Sequence, residues 1–237
     1  MKRIITEAIN WLILFLIILF LSMMAYQRNT LWNDELALWK DCVKKSPLKE
    51  RPHHNLGFVY YEIGLLDEAK REFEEALSLN PRYALSMYNL GLVFYRKGSM
   101  EEAIARYQKA IELDPNFPDS IYNLGIAYYQ KGLYQDAVGA YKKFLEAKPE
   151  YENAHNSLGL VYKALKQWDE AIKAFQEELR YHPENFYAHL YLGEIYMTLK
   201  DHPNALLHFK RVLMIHPNAP ESERIRKVIS SIETGPK

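Results

Sequence analysis

Two patterns of apolar positions follow one another along this chain. From Ala8 to Ala25 the residues are apolar almost without a break (AINWLILFLIILFLSMMA), with Asn10 and Ser22 as the only strongly polar positions. From residue 50 onward apolar positions recur at helical spacing, in short segments separated by proline, glycine and charged residues. The first pattern predicts one long apolar helix, and the second a succession of short amphipathic ones.

The second pattern is periodic. Leu-Gly pairs stand at Leu56-Gly57, Leu90-Gly91, Leu124-Gly125, Leu158-Gly159 and Leu192-Gly193, each 34 residues after the last. An aromatic follows three residues after each glycine (Tyr60, Phe94, Tyr128, Tyr162, Tyr196), and an alanine twelve after it (Ala69, Ala103, Ala137, Ala171, Ala205). A second aromatic lies four beyond each alanine (Phe73, Tyr107, Tyr141, Phe175, Phe209), and Pro81, Pro115, Pro149, Pro183 and Pro217 close the units. A small residue on each helix lets the two helices of a hairpin approach, and the aromatics fill the space around them. Proline cannot continue a helix and disfavours helical geometry in the residue before it, so it separates successive units.

These residues resemble the tetratricopeptide repeat family over residues 50–219, without insertion or deletion. The resemblance implies an all-α, right-handed solenoid of five tandem helix-turn-helix repeats (50–83, 84–117, 118–151, 152–185 and 186–219) with capping helices. No hairpin of this kind buries its apolar face alone, so the ends need caps. Ile225, Val228, Ile229 and Ile232 form one stripe of a helix within 220–237. At the other end, Trp39 and Pro47 fall on the second-aromatic and closing-proline positions one period back, so 27–49 is expected to be a linker and a half-repeat cap.

Eighteen apolar residues at about 1.5 Å each span roughly 27 Å, close to a bilayer's hydrocarbon thickness. A transmembrane signal anchor is expected over 8–26, after a short tail at 1–7, with Trp11 and Tyr26 near its ends. A cleaved signal peptide is the alternative, and it is disfavoured by Met23, which stands where cleavage after Ala25 requires a small side chain. Lys2 and Arg3 on one side balance Arg28 and Lys40 on the other. The short amino-terminal tail resembles that of a signal anchor, which would leave the repeats on the extracytoplasmic side, periplasmic or lumenal. The junction from Gln27 through Leu31-Trp32, Leu38-Trp39, Lys45-Ser46-Pro47 and Asn55-Leu56-Gly57 resembles that of polytopic mannosyltransferase-like membrane proteins. There, a last membrane helix leads into repeats outside the cytoplasm. This resemblance implies a detached repeat module or an accessory subunit of such a system.

Charge narrows the partners. Lysine and arginine (30) balance aspartate and glutamate (30), so the basic footprint of a nucleic-acid binder is missing. Cys42 is the only cysteine and no intramolecular disulfide can form. His53 and His54 are adjacent and point to different sides of a helix, His182 and His216 precede closing prolines, and no metal-site spacing appears. Glu74-Glu75, Glu101-Glu102 and Glu177-Glu178 read as solvated faces of second helices. With no phosphate-cradling glycine loop, nucleophile elbow or zinc signature, neither catalysis, cofactor nor small-molecule substrate is expected.

The expected partner is a protein or an extended peptide. In tetratricopeptide proteins the first helices line a groove, and the resemblance places His54, Phe58 and Tyr61, then Tyr88, Leu92 and Tyr95, then Tyr122, Ile126 and Tyr129 on it. Tyr61, Tyr95 and Tyr129 form a ladder one period apart, suited to a peptide because tyrosine joins contact area to a hydroxyl. Packing between neighbouring units is the alternative role. Asn55, Asn89 and Asn123 form a second ladder, which resembles the asparagine ladder of O-linked N-acetylglucosamine transferases and would hold a backbone through its amides. It ends at Ser157 and Tyr191. His54, Asp119 and Asn123 stand where co-chaperones carry a two-carboxylate clamp, which disfavours that ligand class. The other half of the groove, with Asn153, Asn156, Lys163, Glu194 and Met197, is expected to be more polar.

Overall fold

The computed structural model describes residues 18–24 and 34–234, and the described residues are helical with no strand. Residues 18–24 are helical, with Ile18, Leu19, Phe20, Leu21, Met23 and Met24 each more than half exposed. No helix among the described residues is long and apolar enough to cross a membrane. The rest of the expected anchor, 8–17 and 25–26, lies outside the described residues.

The chain divides into two compact units at Lys97–Gly98. The first holds α1 (Glu35–Lys45), α2 (Glu50–Glu62), α3 (Leu66–Leu79) and α4 (Ala84–Arg96), each packed on the next, with α2 also touching α4. Asp34 caps α1 by accepting from the Ala37 amide at 3.1 Å. Phe73 and Ala69 of α3 are fully buried against Leu90 and Val93 of α4. Gly57 gives the small contact that the sequence pattern requires: a Cβ there would lie 3.0 Å from the Phe73 ring.

The second unit holds α5 (Met100–Leu113), α6 (Pro118–Gln130), α7 (Tyr134–Ala147), α8 (Ala154–Ala164), α9 (Trp168–Tyr181), α10 (Phe186–Thr198), α11 (His202–Ile215) and α12 (Ser222–Thr234). Each packs on its neighbour in sequence, and α8 also reaches α10. Acidic residues open α5 (Glu101, Glu102) and α9 (Asp169, Glu170), where the exposed amides of a first turn favour negative charge. Ala137, Ala171 and Phe175 are buried completely, and burial of one such ring stabilises by about 2–3 kcal/mol. Ile225 of α12 is 1% exposed and closes the cluster of Leu190, Phe209 and Val212, with Val228 and Ile229 packed beside it.

The turn between the helices of a hairpin needs one residue at positive φ. Gly64 and Gly132 supply it at 82° and 77°, but Lys166 and Lys200 hold the same register at 58° and 60°. A side chain there costs roughly 1 kcal/mol or more.

Where repeats meet, the same two positions touch. Tyr83 packs on His54 in the first unit (ring centroids 5.0 Å), and in the second Tyr151 packs on Tyr122 (5.6 Å). At the next junction asparagines replace the rings: Asn156 Nδ2 donates to Asn185 Oδ1 at 2.9 Å. They surround Glu178, which is fully buried rather than solvated as the sequence pattern suggested. Its carboxylate accepts from the amides of Asn153 (2.9 Å) and Asn156 (3.3 Å), and His182 Nδ1 lies 2.9 Å away. A carboxylate belongs there because those amides open α8, which has no side-chain cap from its own N-cap residue.

Candidate peptide-binding site

In the first unit the expected site residues come from α2 and α4. Phe58 stands 44% exposed, while Asn55, Tyr88, Leu92 and Tyr95 are half-buried and Asn89 is buried at 5% exposure. Two expectations need correction. Tyr61, expected on an open ladder, is only 8% exposed, because the Arg96 guanidinium covers its ring at 3.8 Å and donates to its carbonyl at 3.0 Å. Burial raises the Tyr61 hydroxyl above its usual pKa, partly opposed by Arg96. His54, expected to face a ligand, is buried between Phe73 and Tyr83 with Nδ1 2.8 Å from Ser86 Oγ. That burial lowers its pKa to about 4. The ladder's middle rung, Tyr95, stays half-buried on its first helix, as do Tyr60 and Tyr88.

In the second unit the expected residues lie on α6. Tyr122 is half-buried among Tyr141, Phe144 and Tyr151, with its hydroxyl 3.0 Å from Ser157 Oγ, so it spends its hydrogen bond on the next repeat. This packing raises its pKa, mainly through burial. Asn123 donates to the Asp119 carbonyl at 2.9 Å, a bond within its own helix turn. Ile126 and Tyr129 are half-buried against the α8–α10 core, with Tyr129 beside Tyr134 (5.7 Å).

The half expected to be polar is arranged differently. Asn153 and Asn156 are inside the Glu178 network, not on an open face, because Glu178 and Asn185 draw their amides inward. Lys163 and Glu194 pair at 2.6 Å, and Arg224 of the capping helix reaches the other oxygen of Glu194 at 2.7 Å. Burial opposes the charged form of Glu194, but the hydrogen bonds from Lys163 and Arg224 overcome it and hold its carboxyl below the usual range. Beside this pair two aromatics unmentioned among the expected site residues come to the surface. Tyr187 is 52% exposed and stacks on Tyr191 at 6.2 Å, and Lys163 sits 4.9 Å over the Tyr191 ring. The register held the signal for both: Tyr187 and Tyr191 share one face of α10 at the i, i+4 spacing.

Both ring nitrogens of His53 are engaged by the protein. His53 places Nδ1 2.7 Å from Glu72 Oε2 and Nε2 3.0 Å from the Pro47 carbonyl. Among the described residues no group of three or more His, Cys, Asp or Glu side chains is placed to hold a metal ion.

Similarity to known proteins agrees with this fold. The solved structure of YrrB, described as a TPR protein with an unusual peptide-binding site, matches with a TM-score of 0.69 at 20% identity, over 80% of this chain and 97% of that one. MamA from Desulfovibrio magneticus RS-1 matches with a TM-score of 0.68 at 23% identity, over 72% of this chain and 97% of that one. Protein O-mannosyl-transferase F38B6.6 of Caenorhabditis elegans is 33% identical over 67 residues, which is 28% of this chain and 10% of that protein. The chain thus spans about a tenth of the length of that relative. The family model described as TPR repeat matches residues 57–98 and 92–132, and the one described as Tetratricopeptide repeat matches 122–177 and 156–222. With these matches running from Gly57 to Ser222 over helical hairpins closed by a glycine and an aromatic ring, the chain belongs to the tetratricopeptide repeat family.

Proposed function

We propose that this protein is a non-enzymatic interaction scaffold, and that the first-helix faces of its repeats bind a partner protein in extended form. The observation that carries this reading is the exposure of Phe58 on α2 and Tyr187 on α10, two large rings that the helix packing does not use. Exposed aromatics amid amides and hydroxyls supply contact area and hydrogen bonds at low entropic cost, the composition of a binding face. The peptide-binding site in the description of YrrB is in keeping with it. A photo-reactive phenylalanine placed at Phe58, Tyr95 or Tyr187 should form adducts with one and the same partner. The same group at Leu207, exposed at 64% on a second helix, serves as the control. Adducts from Leu207 alone, or equal adducts everywhere, would sink the proposal.

The second part of the proposal is that residues 8–26 tether the repeats to a membrane and leave them outside the cytoplasm. Its support is the apolar sequence AINWLILFLIILFLSMMA and the partial identity to an O-mannosyl-transferase. That identity also favours a second reading, a repeat module working beside a mannosyltransferase-like enzyme. Cys42 is free and the only cysteine, so a membrane-impermeant maleimide tests the orientation. Labelling in intact cells supports the proposal, and labelling only after lysis contradicts it.

A further inference from the structure

The turn between α1 and α2 departs from the pattern of the later junctions. Leu48 at its apex is 83% exposed, the most of any large apolar side chain among the described residues. In the later repeats the same apex carries Arg82, Asn116, Glu150, Glu184 and Asn218, all polar. The turn is also basic. Between Lys40 and Arg51 stand five basic residues against two acidic ones, in a chain whose charges balance overall. Lys44, Lys45, Lys49 and Arg51, which flank Leu48 in sequence, are all exposed.

The turn is held in place rather than loose. The Ser46 amide donates to the Cys42 carbonyl at 2.9 Å, and the Lys49 amide to the Ser46 carbonyl at 3.2 Å. The buried His53 places Nε2 3.0 Å from the Pro47 carbonyl and Nδ1 2.7 Å from Glu72, which ties the apex to α3. Asp41 takes Lys45 and Glu72 takes His53, so Lys44, Lys49 and Arg51 have no carboxylate partner among the described residues. Neither packing nor ion pairing explains the exposed leucine or these three cations.

We propose that this turn docks on an anionic bilayer surface, with Leu48 entering the interface and Lys44, Lys49 and Arg51 meeting lipid phosphates. An apolar apex between cations matches the boundary of acyl chains and anionic headgroups, where each basic residue strengthens contact about fivefold. The chain itself brings the bilayer close. Seven residues (27–33) separate the expected anchor at 8–26 from Asp34, at most roughly 28 Å of chain, and α1 adds about 16 Å. Docking is then intramolecular, so a weak contact suffices. This rests on the tether proposed above, and adds to it an orientation of the first unit on the membrane.

The test uses the full-length protein reconstituted in vesicles of phosphatidylcholine alone, or of phosphatidylcholine mixed equally with phosphatidylglycerol. A bimane at Leu48→Cys, in a Cys42→Ser background, reports quenching by bromine on the acyl chains. Ile63→Cys is the control: Ile63 is apolar and 54% exposed at the other end of α2, within a stretch from Gly57 to Ala69 that has no basic residue. Quenching is expected at Leu48 in the mixed vesicles and at Ile63 in neither. Lys44→Gln with Lys49→Gln should lower the ratio of docked to undocked turn roughly twenty-five-fold. Equal quenching at both positions, equal quenching in both lipids, or no change in the double variant would overturn the proposal. Absence of quenching in both vesicles would overturn it too, and leave the basic turn to an acidic protein surface. Failure to float with phosphatidylcholine vesicles contradicts the tether instead, and quenching at Leu48 in the mixed vesicles would then still support the docking.

Discussion

Replacing Glu178 by leucine should be among the most damaging single changes available in the second unit. The carboxylate is wholly buried and serves the amides of Asn153 and Asn156 and the side chain of Asn185 at 3.4 Å. Leucine leaves those donors facing hydrocarbon, and each buried orphan costs about 1–3 kcal/mol. Because the donors share one neighbourhood and relax together, the losses do not add in full. Breaking a buried charged network from one side amounts to about 3–5 kcal/mol, and a value near the lower end is expected here. Urea unfolding followed by far-ultraviolet circular dichroism measures it. A companion variant separates the network from the site. Asn156→Tyr, Glu178→Phe and Asn185→Tyr together install the residues of the preceding repeat, where Tyr122, Phe144 and Tyr151 pack at 4.9–5.6 Å. The rings fill the space and remove the Asn156 and Asn185 side-chain amides, so part of the loss should return. The backbone amides at 153 and 156 stay without their acceptor, and about 1 kcal/mol more goes with the bond between Asn185 and the Ala188 amide. A single-mutant loss below about 1 kcal/mol would refute the assignment of the network as the cap of α8.

Lys166→Gly and Lys200→Gly should each stabilise by about 0.5–1 kcal/mol, since both lysines hold a left-handed turn that glycine fills elsewhere; a lower denaturation midpoint contradicts this. Gly193→Ala should destabilise, because its Cβ would come 2.6 Å from the Phe209 ring; an unchanged melting temperature would show that the hairpin can open. Burial lowers the pKa of His54 to about 4, and burial with the nearby His189 does the same for His208, so both rings stay neutral when folded until well below pH 6.5. The unfolded chain takes up those protons first, so stability is complete above pH 6.5 and falls as pH drops from there to about 4. For His54 the loss is at most about 3 kcal/mol, and His54→Phe should flatten that part of the pH–stability curve.

Much of the hairpin packing was legible in the period alone. Glycine at 57, 125, 159 and 193 faces the aromatic sixteen residues on, as the pairing of small and large residues required. What periodicity obscured was the exception to it. Glu178 stands where the other repeats have Ala76, Ala110, Phe144 and Val212, so a carboxylate at an apolar register position already signalled burial. It read as part of a charged run because Glu177 precedes it. Tyr61 and Tyr95 share a register position too, but Arg96 on α4 covers Tyr61 across the helix pair, and neighbours in space are invisible to a period along the chain. Asn55, Asn89 and Asn123 likewise looked equivalent, whereas Asn89 is buried and Asn123 bonds within its own helix.

The central claim is that aromatic side chains on the first helices bind the partner. It is tested most directly by the affinity of the partner captured through Phe58 and Tyr187, titrated against the intact protein and single alanine variants. An anchoring ring contributes about 2 kcal/mol, so Phe58→Ala and Tyr187→Ala should each weaken binding roughly thirtyfold. Their melting temperatures should stay near that of the parent, because both side chains are already about half exposed, and Leu207→Ala should change neither quantity. Undiminished affinity in Phe58→Ala and Tyr187→Ala, with binding intact on a folded protein, would contradict the account and move the binding face off the first helices.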